Sequence, residues 1–199
     1  MRIIATILIS VATFFTLNSL IPTANEYEIY DSCVRLHVLA NSNSEEDQKV
    51  KLKVRDRILS EISTYELKSK EEALKTVEEN KKKMEELARE ELEKNGFDYD
   101  VKIDIGLEDY PTRNYEDFSL PSGTYTSVRV LLGDGEGENW WCVLYPPLCT
   151  ASAIKYDDEA CVDVGLTKDQ YSLITQSSGK YKVKFKILEL TAGAIGIKY

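Results

Sequence analysis

From Ile3 to Ile21 the chain carries no charged side chain, and most positions are Ile, Leu, Val, Phe or Ala. Nineteen residues of helix reach about 28 Å, close to the hydrocarbon thickness of a bilayer. Such a run at the extreme N-terminus is a poor core helix, so it divides the chain in two. Residues 1–24 are expected to be a signal peptide or membrane anchor, and residues 25–199 a single exported domain. Arg2 precedes the run, whereas Glu26, Glu28 and Asp31 follow it. The positive-inside rule then keeps the N-terminus in the cytoplasm and carries the remainder across the membrane. Pro22-Thr23-Ala24 is the best cleavage candidate, but it puts proline where a small residue is preferred, so cleavage and anchoring both stay open.

The balance of 34 acidic against 25 basic side chains leaves a net charge of −9. An acidic chain is repelled by phosphate backbones and anionic lipid headgroups, which argues against a nucleic-acid partner. One histidine, His37, excludes a metal site that needs two, and no Cys-x-x-Cys pair is present to build a zinc ribbon or a thioredoxin-like site. Neither a metal nor an organic cofactor is expected. The four cysteines, Cys33, Cys142, Cys149 and Cys161, would lie in an oxidising space after export. Two bridges are then possible in three connectivities. A local staple between Cys142 and Cys149, around Pro146-Pro147, is the simplest; four reduced, buried thiols are the alternative.

Cys33 to Ala40 is β-branched and apolar and stops at a polar cluster, the pattern of a strand. Ser44 with Asp47 resembles a capping box and starts a helix to about Ser63, with Val50, Val54, Ile58 and Ile62 at i+4 steps. Ser69 with Glu72 starts a second helix. Its stripe is Ala73, Val77, Met84, Leu87, Ala88 and Leu92, and Asn95-Gly96 ends it. Lys81-Lys82-Lys83 reads as a solvated face. After Gly96 the period falls to two: Tyr99, Val101, Ile103 and Ile105 alternate with charged residues. Tyr125 to Leu132 reads as a further strand, with Trp140 to Tyr145 as its hairpin partner across the glycine-rich loop 133–138. A short helix over Leu166 to Thr175 and a strand over Tyr181 to Ile187 complete the order β-α-α-β-β-β-α-β. The expected class is α+β: a mixed or antiparallel sheet with two main helices on one face, preceded by the N-terminal hydrophobic helix.

Catalytic constellations are weak. On a strand, Cys33 and His37 share a face but lie about 13 Å apart, too far for a dyad. A thiol of Cys142 or Cys149 would need tertiary contact to reach His37. Asp104-Ile105-Gly106 and Asp163-Val164-Gly165 lack the Ser or Thr that follows the aspartate in aspartic proteases, and Asp134, Glu136 and Glu138 do not fit an EF-hand loop. The chain is expected not to be an enzyme. The competing readings are an exported cysteine hydrolase using Cys142 or Cys149 with His37, and an envelope-anchored glycan-binding module.

Two stretches carry a resemblance. One is Arg35-Leu36-His37-Val38-Leu39-Ala40-Asn41-Ser42-Asn43-Ser44-Glu45-Glu46-Asp47-Gln48 with Lys51 to Asp56 behind it; the other is Asn139-Trp140-Trp141-Cys142-Val143-Leu144-Tyr145-Pro146-Pro147-Leu148-Cys149. Leu120-Pro121-Ser122-Gly123 and the loop from Gly133 to Asn139 fit as well. Over about residues 32 to 149 the chain resembles the stage II sporulation protein R family of endospore-forming Bacilli and Clostridia, with Asn43 where the usual text has Asp. The resemblance implies a signalling ligand that needs no cofactor. Such a protein is made in the forespore, exported to the space between the two sporulation membranes, and triggers a membrane aspartic protease, the stage II sporulation protein GA, to process pro-sigma-E. Within it the candidate partner contacts are Arg35, His37, Asn41, Ser42, Asp47, Trp140, Trp141, Pro146 and Pro147. On a strand Trp140 and Trp141 point to opposite faces, so one should enter the core.

Overall fold

A computed structural model of the chain describes residues 29–115 and 118–148, residue 174, and part of the segment 3–14. The described residues of that N-terminal segment are helical and exposed. Among the described residues no helix is long and apolar enough to cross a membrane. The expected helix at 166–175, apart from residue 174, and the expected strand at 181–187 lie outside the described residues, as does most of the hydrophobic run. The chain divides into two compact units, one of residues 30–109 with 124–168 and one of residues 1–29, 110–123 and 169–199.

In the larger unit, strand β1 (Val34–Leu39) leads into helix α1 (Glu45–Ile62) and helix α2 (Lys70–Lys94). Both helices start as their capping residues dictate. Ser44 Oγ accepts the Asp47 N–H at 3.1 Å, and Ser69 Oγ accepts the Glu72 N–H at 3.1 Å. Three carboxylates in the first turn of α1 and two in that of α2 favour the positive end of each helix dipole. At the end of α2, Gly96 takes a φ of 85°, its N–H donates to Glu93 O, and the Phe97 N–H donates to Leu92 O. These two bonds close a Schellman motif and satisfy carbonyls that the helix leaves open.

Strands β2 (Val101–Tyr110), β5 (Gly123–Leu132) and β6 (Asn139–Tyr145) complete a four-stranded sheet in the order β2-β5-β1-β6. β5 is parallel to β1, with Leu36 opposite Val128, and β6 is antiparallel, with His37 opposite Trp141. β2 and β5 run antiparallel, since Asp104 bonds Arg129 while Asp109 bonds Thr124. The expected hairpin of 125–132 with 140–145 is therefore corrected: β1 lies between those strands. A glycine-rich loop reverses the chain without choosing the neighbour. The six residues from Gly133 to Glu138 easily span the roughly 10 Å across one intervening strand. β1 takes the central place because both of its faces are buried.

Alternation then builds the core. Val34, Leu36 and Val38, Val128, Val130 and Leu132, and Val101 and Ile103 share one sheet face. They pack in one cluster with Val50, Val54, Ile58 and Ile62 of α1 and Ala73, Val77, Met84, Ala88 and Leu92 of α2. Two helices on one face of a mixed sheet is the arrangement expected of the α+β class. Leu87, expected in the stripe, is only half-buried. In the smaller unit, β3 (Arg113–Asn114) pairs antiparallel with β4 (Ser119–Leu120), and Tyr115 stacks on Phe118 with ring centroids 4.4 Å apart.

Candidate functional site

The odd-numbered side chains of β1 point away from the helices, and there the sheet is polar and closed. Arg35 is fully buried; its Nε donates to the Cys142 carbonyl at 3.0 Å, and its guanidinium lies 5.1 Å from the Tyr125 ring centroid. His37 is 5% exposed. Its Nδ1 lies 2.8 Å from Glu108 Oε1 and its Nε2 2.8 Å from Asn139 Oδ1, while the Trp141 ring sits 5.4 Å away. Both ring nitrogens thus face oxygen acceptors, and the ring ties β1 to β2 and β6. Arg129 pairs with Asp104 on the same side of the sheet. Glu108 and Asn139 were not visible as partners of His37, because the alternation of β2 breaks at Gly106-Leu107 and the contacts join residues 71 and 102 positions apart.

Beyond the end of β1, the turn from Asn41 to Asp47 and the loop from Gly133 to Glu138 lock together. Asn41 Oδ1 accepts the Asp134 N–H at 3.0 Å, and Asn41 Nδ2 donates to Asp47 Oδ2 at 3.0 Å. The loop's Glu136 and Gly137 N–H groups donate to Asn41 O and Ala40 O. Ser42 O accepts Gln48 Nε2 at 2.9 Å. Asn43 Oδ1 accepts the Glu138 N–H at 2.6 Å, a role that needs only an acceptor oxygen and that an aspartate fills equally. Asp47, 5% exposed, also accepts the Tyr99 hydroxyl at 3.2 Å. Burial pushes its carboxyl upward, but the hydrogen bonds from Ser42, Asn41 and Tyr99 outweigh it and hold the carboxyl below its usual range. The Tyr99 phenol is raised by its own burial and then by the Asp47 charge. Lys51, also buried, donates to Gln48 Oε1 and Glu138 O, and burial lowers its pKa.

Two glycines make this lock possible. A Cβ on Gly137 would stand 2.2 Å from Ser42 O, and one on Gly133 would stand 2.1 Å from Asn41 Oδ1. The sequence showed these glycines only as loop formers; the close approach to the turn after β1 was not visible.

The tryptophans divide as the strand period requires. Trp140 packs on the helical side against the core, with the Arg55 guanidinium 4.7 Å from its ring centroid, and Trp141 lies on the other side against His37. They do not form one aromatic platform. Pro146, after a cis Tyr145–Pro146 bond, is buried. Pro147 lines an apolar cavity of about 200 Å³ with Leu59, Ile62, Tyr65, Leu67 and Leu144. Cys142 is disulfide-bonded, so its sulfur is not a thiol nucleophile in this state. Cys149, its expected partner, lies outside the described residues. Cys33 is a free, buried cysteine whose thiol is pushed up to about 11 by burial, against smaller opposing effects of Ser32, Arg35 and Lys70.

Residues 30–155 match a family described as stage II sporulation protein R. The chain is 38% identical over 123 residues to the stage II sporulation protein R of Bacillus subtilis (strain 168), across 61% of this chain and 55% of that protein. It therefore spans about half the length of the curated relative it matches. No solved structure matches the chain.

Proposed function

The chain belongs to the stage II sporulation protein R family, and from that membership we propose that it is an exported signal of endospore formation that activates a membrane aspartic protease. The protease is the stage II sporulation protein GA, and the outcome is removal of the pro-segment of sigma-E. Forespore synthesis, export by residues 1–24 and action in the space between the two membranes are parts of the same reading. The observation that carries it is the family match over residues 30–155, which takes in the six strands and two long helices of the described residues.

The site supports a binding role by how its groups are used. His37 spends both ring nitrogens on Glu108 and Asn139, and Cys142 is bonded. Arg35, His37, Asn41 and Asp47 hold β1, the following turn and the 133–138 loop in one arrangement. Half-buried Ser42, Trp141 and Pro147 are then the contact candidates, with Trp140 and Pro146 supporting them from within. Deleting the gene in the native sporulating host and immunoblotting sigma-E tests the proposal. Accumulation of the unprocessed precursor is expected; normal processing would overturn it.

A further inference from the structure

Asn95-Gly96, at the end of α2, is the only Asn-Gly pair in the chain. Glycine has no side chain to hinder attack by its backbone nitrogen on the preceding side-chain amide, and the reaction needs no reagent but water. The Gly96 nitrogen bonds to Asn95 Cγ, the Cγ–Nδ2 bond breaks, and ammonia leaves with the Gly96 proton. Water then adds across either new or old C–N bond of the cyclic imide, giving aspartate or isoaspartate at position 95 with no change of oxidation state. Gly96 is exposed, and a Cβ on it would meet no atom within 4 Å, so water reaches the pair.

The fold holds the two reacting groups apart. The Gly96 N–H donates to Glu93 O at 3.0 Å, which occupies the attacking nitrogen. The side-chain amide of Asn95 is drawn back along the helix instead: its Nδ2 donates to Glu91 O at 2.7 Å and to Glu91 Oε1 at 3.1 Å. Its Oδ1 accepts Lys53 Nζ from α1. These partners also fix which end of the amide is which. A flip would set Nδ2 against an ammonium and Oδ1 against two acceptors. Asn95 Cγ is thus anchored toward the preceding turn and away from the Gly96 nitrogen. All the groups involved lie within the larger unit.

We propose that Asn95 is a guarded, one-way modification site: the closed end of α2 keeps it asparagine, and opening of that end commits it to aspartate or isoaspartate. Helix ends fray at low cost, so the trigger is a local opening rather than global unfolding. Both products place a carboxylate where Nδ2 stood, against Glu91 O and Oε1 and at the negative end of the helix dipole. Isoaspartate also lengthens the backbone by one carbon, which pulls the Gly96 and Phe97 N–H groups off Glu93 O and Leu92 O. The closed end is weakened by the first product and lost with the second. This inference is independent of the signalling reading.

The test follows position 95 in the full-length chain in mild detergent and in a synthetic peptide of residues 91–99, side by side at mildly alkaline pH, by peptide mapping and mass spectrometry. The intact chain should convert about tenfold or more slowly than the peptide. Glu91→Ala and Lys53→Ala each remove one anchor from outside the buried core. Each should speed conversion about two- to tenfold, with helix content unchanged by circular dichroism. Unfolding the native chain in urea should bring it to the peptide's rate, which keeps the proposal falsifiable if a variant fails to fold. In the converted fraction, amide exchange at Gly96 and Phe97 should be faster than in the unconverted one. The proposal is overturned if the intact chain converts as fast as the peptide, or if the unfolded chain does not convert. It is equally overturned if either folded variant leaves the rate unchanged. Slower conversion in Lys53→Ala would overturn it too, because the ammonium would then activate the amide rather than hold it.

Discussion

Replacing glycine by alanine at two positions should move stability in opposite directions. At Gly137 the new Cβ would stand 2.2 Å from Ser42 O, 2.7 Å from Ser42 C and 2.8 Å from the Ala40 Cβ. Two of these contacts are with backbone, so a rotamer change cannot relieve them. The turn after β1 and the 133–138 loop must separate, which strains Gly137 N–H to Ala40 O (2.9 Å), Glu136 N–H to Asn41 O (3.2 Å) and Gln48 Nε2 to Ser42 O (2.9 Å). Overpacking costs about 1–3 kcal/mol, and strain shared over these hydrogen bonds adds about 0.5–1.5 kcal/mol in total. A loss of about 2–4 kcal/mol follows for Gly137→Ala. At Gly106 the added methyl meets nothing within 4 Å, so the reduced backbone freedom should gain about 0.5–1 kcal/mol. For a chain of this size, 1 kcal/mol shifts the melting temperature by about 2–4 °C. Gly137→Ala should therefore melt roughly 5–15 °C lower and Gly106→Ala slightly higher, by circular dichroism and by urea midpoint. A neutral Gly137→Ala, or a Gly106→Ala that destabilises as much, would refute the loop–turn lock.

Three further outcomes follow from single groups. Asp47 has a folded pKa below its ordinary value of 3.8, so its stabilising contribution is complete above that value and is lost as pH falls through the depressed one. Melting between pH 7 and pH 2 should show a steeper acid loss for the native chain than for Asp47→Asn. Cys33, with its thiol pushed up to about 11, should resist iodoacetamide at pH 8 in the folded protein and react on unfolding, as read by mass spectrometry; fast native labelling would contradict its burial. His37→Asn leaves the partly buried Glu108 without its ring partner and should cost about 1–3 kcal/mol in urea unfolding. Precursor processing by His37→Asn, compared at equal folded protein, should stay near normal, whereas complete loss would point to chemistry at the ring.

What could be read in advance was local. Ser44 and Ser69 mark the helix starts and Gly96 the end of α2, because caps and stops act within a few residues. The i+4 apolar stripes name the helix faces that enter the core, and the two-residue period separates Trp140 from Trp141. Strand pairing was less legible. The Gly133–Glu138 loop promises a hairpin, yet β6 leaves β5 for β1 because a strand buried on both faces gains most in the centre. Glu108 gave no signal as the partner of His37, since the periodicity that locates strands says nothing about which polar side chains meet across them. Gly137 gave none either: its cause is a carbonyl almost a hundred residues away.

The central claim is that this chain acts as a signal delivered across a membrane, and one complementation experiment addresses it most directly. In a sporulating strain lacking the gene, the native chain is compared with Leu8→Arg/Val11→Arg, in which two arginines in the apolar run add roughly 5–7 kcal/mol to membrane insertion. The account predicts that the native chain restores processing of the sigma-E precursor. The double variant should accumulate as folded protein in the forespore and restore none. Full processing by a variant shown by fractionation to remain in the forespore cytoplasm would contradict it.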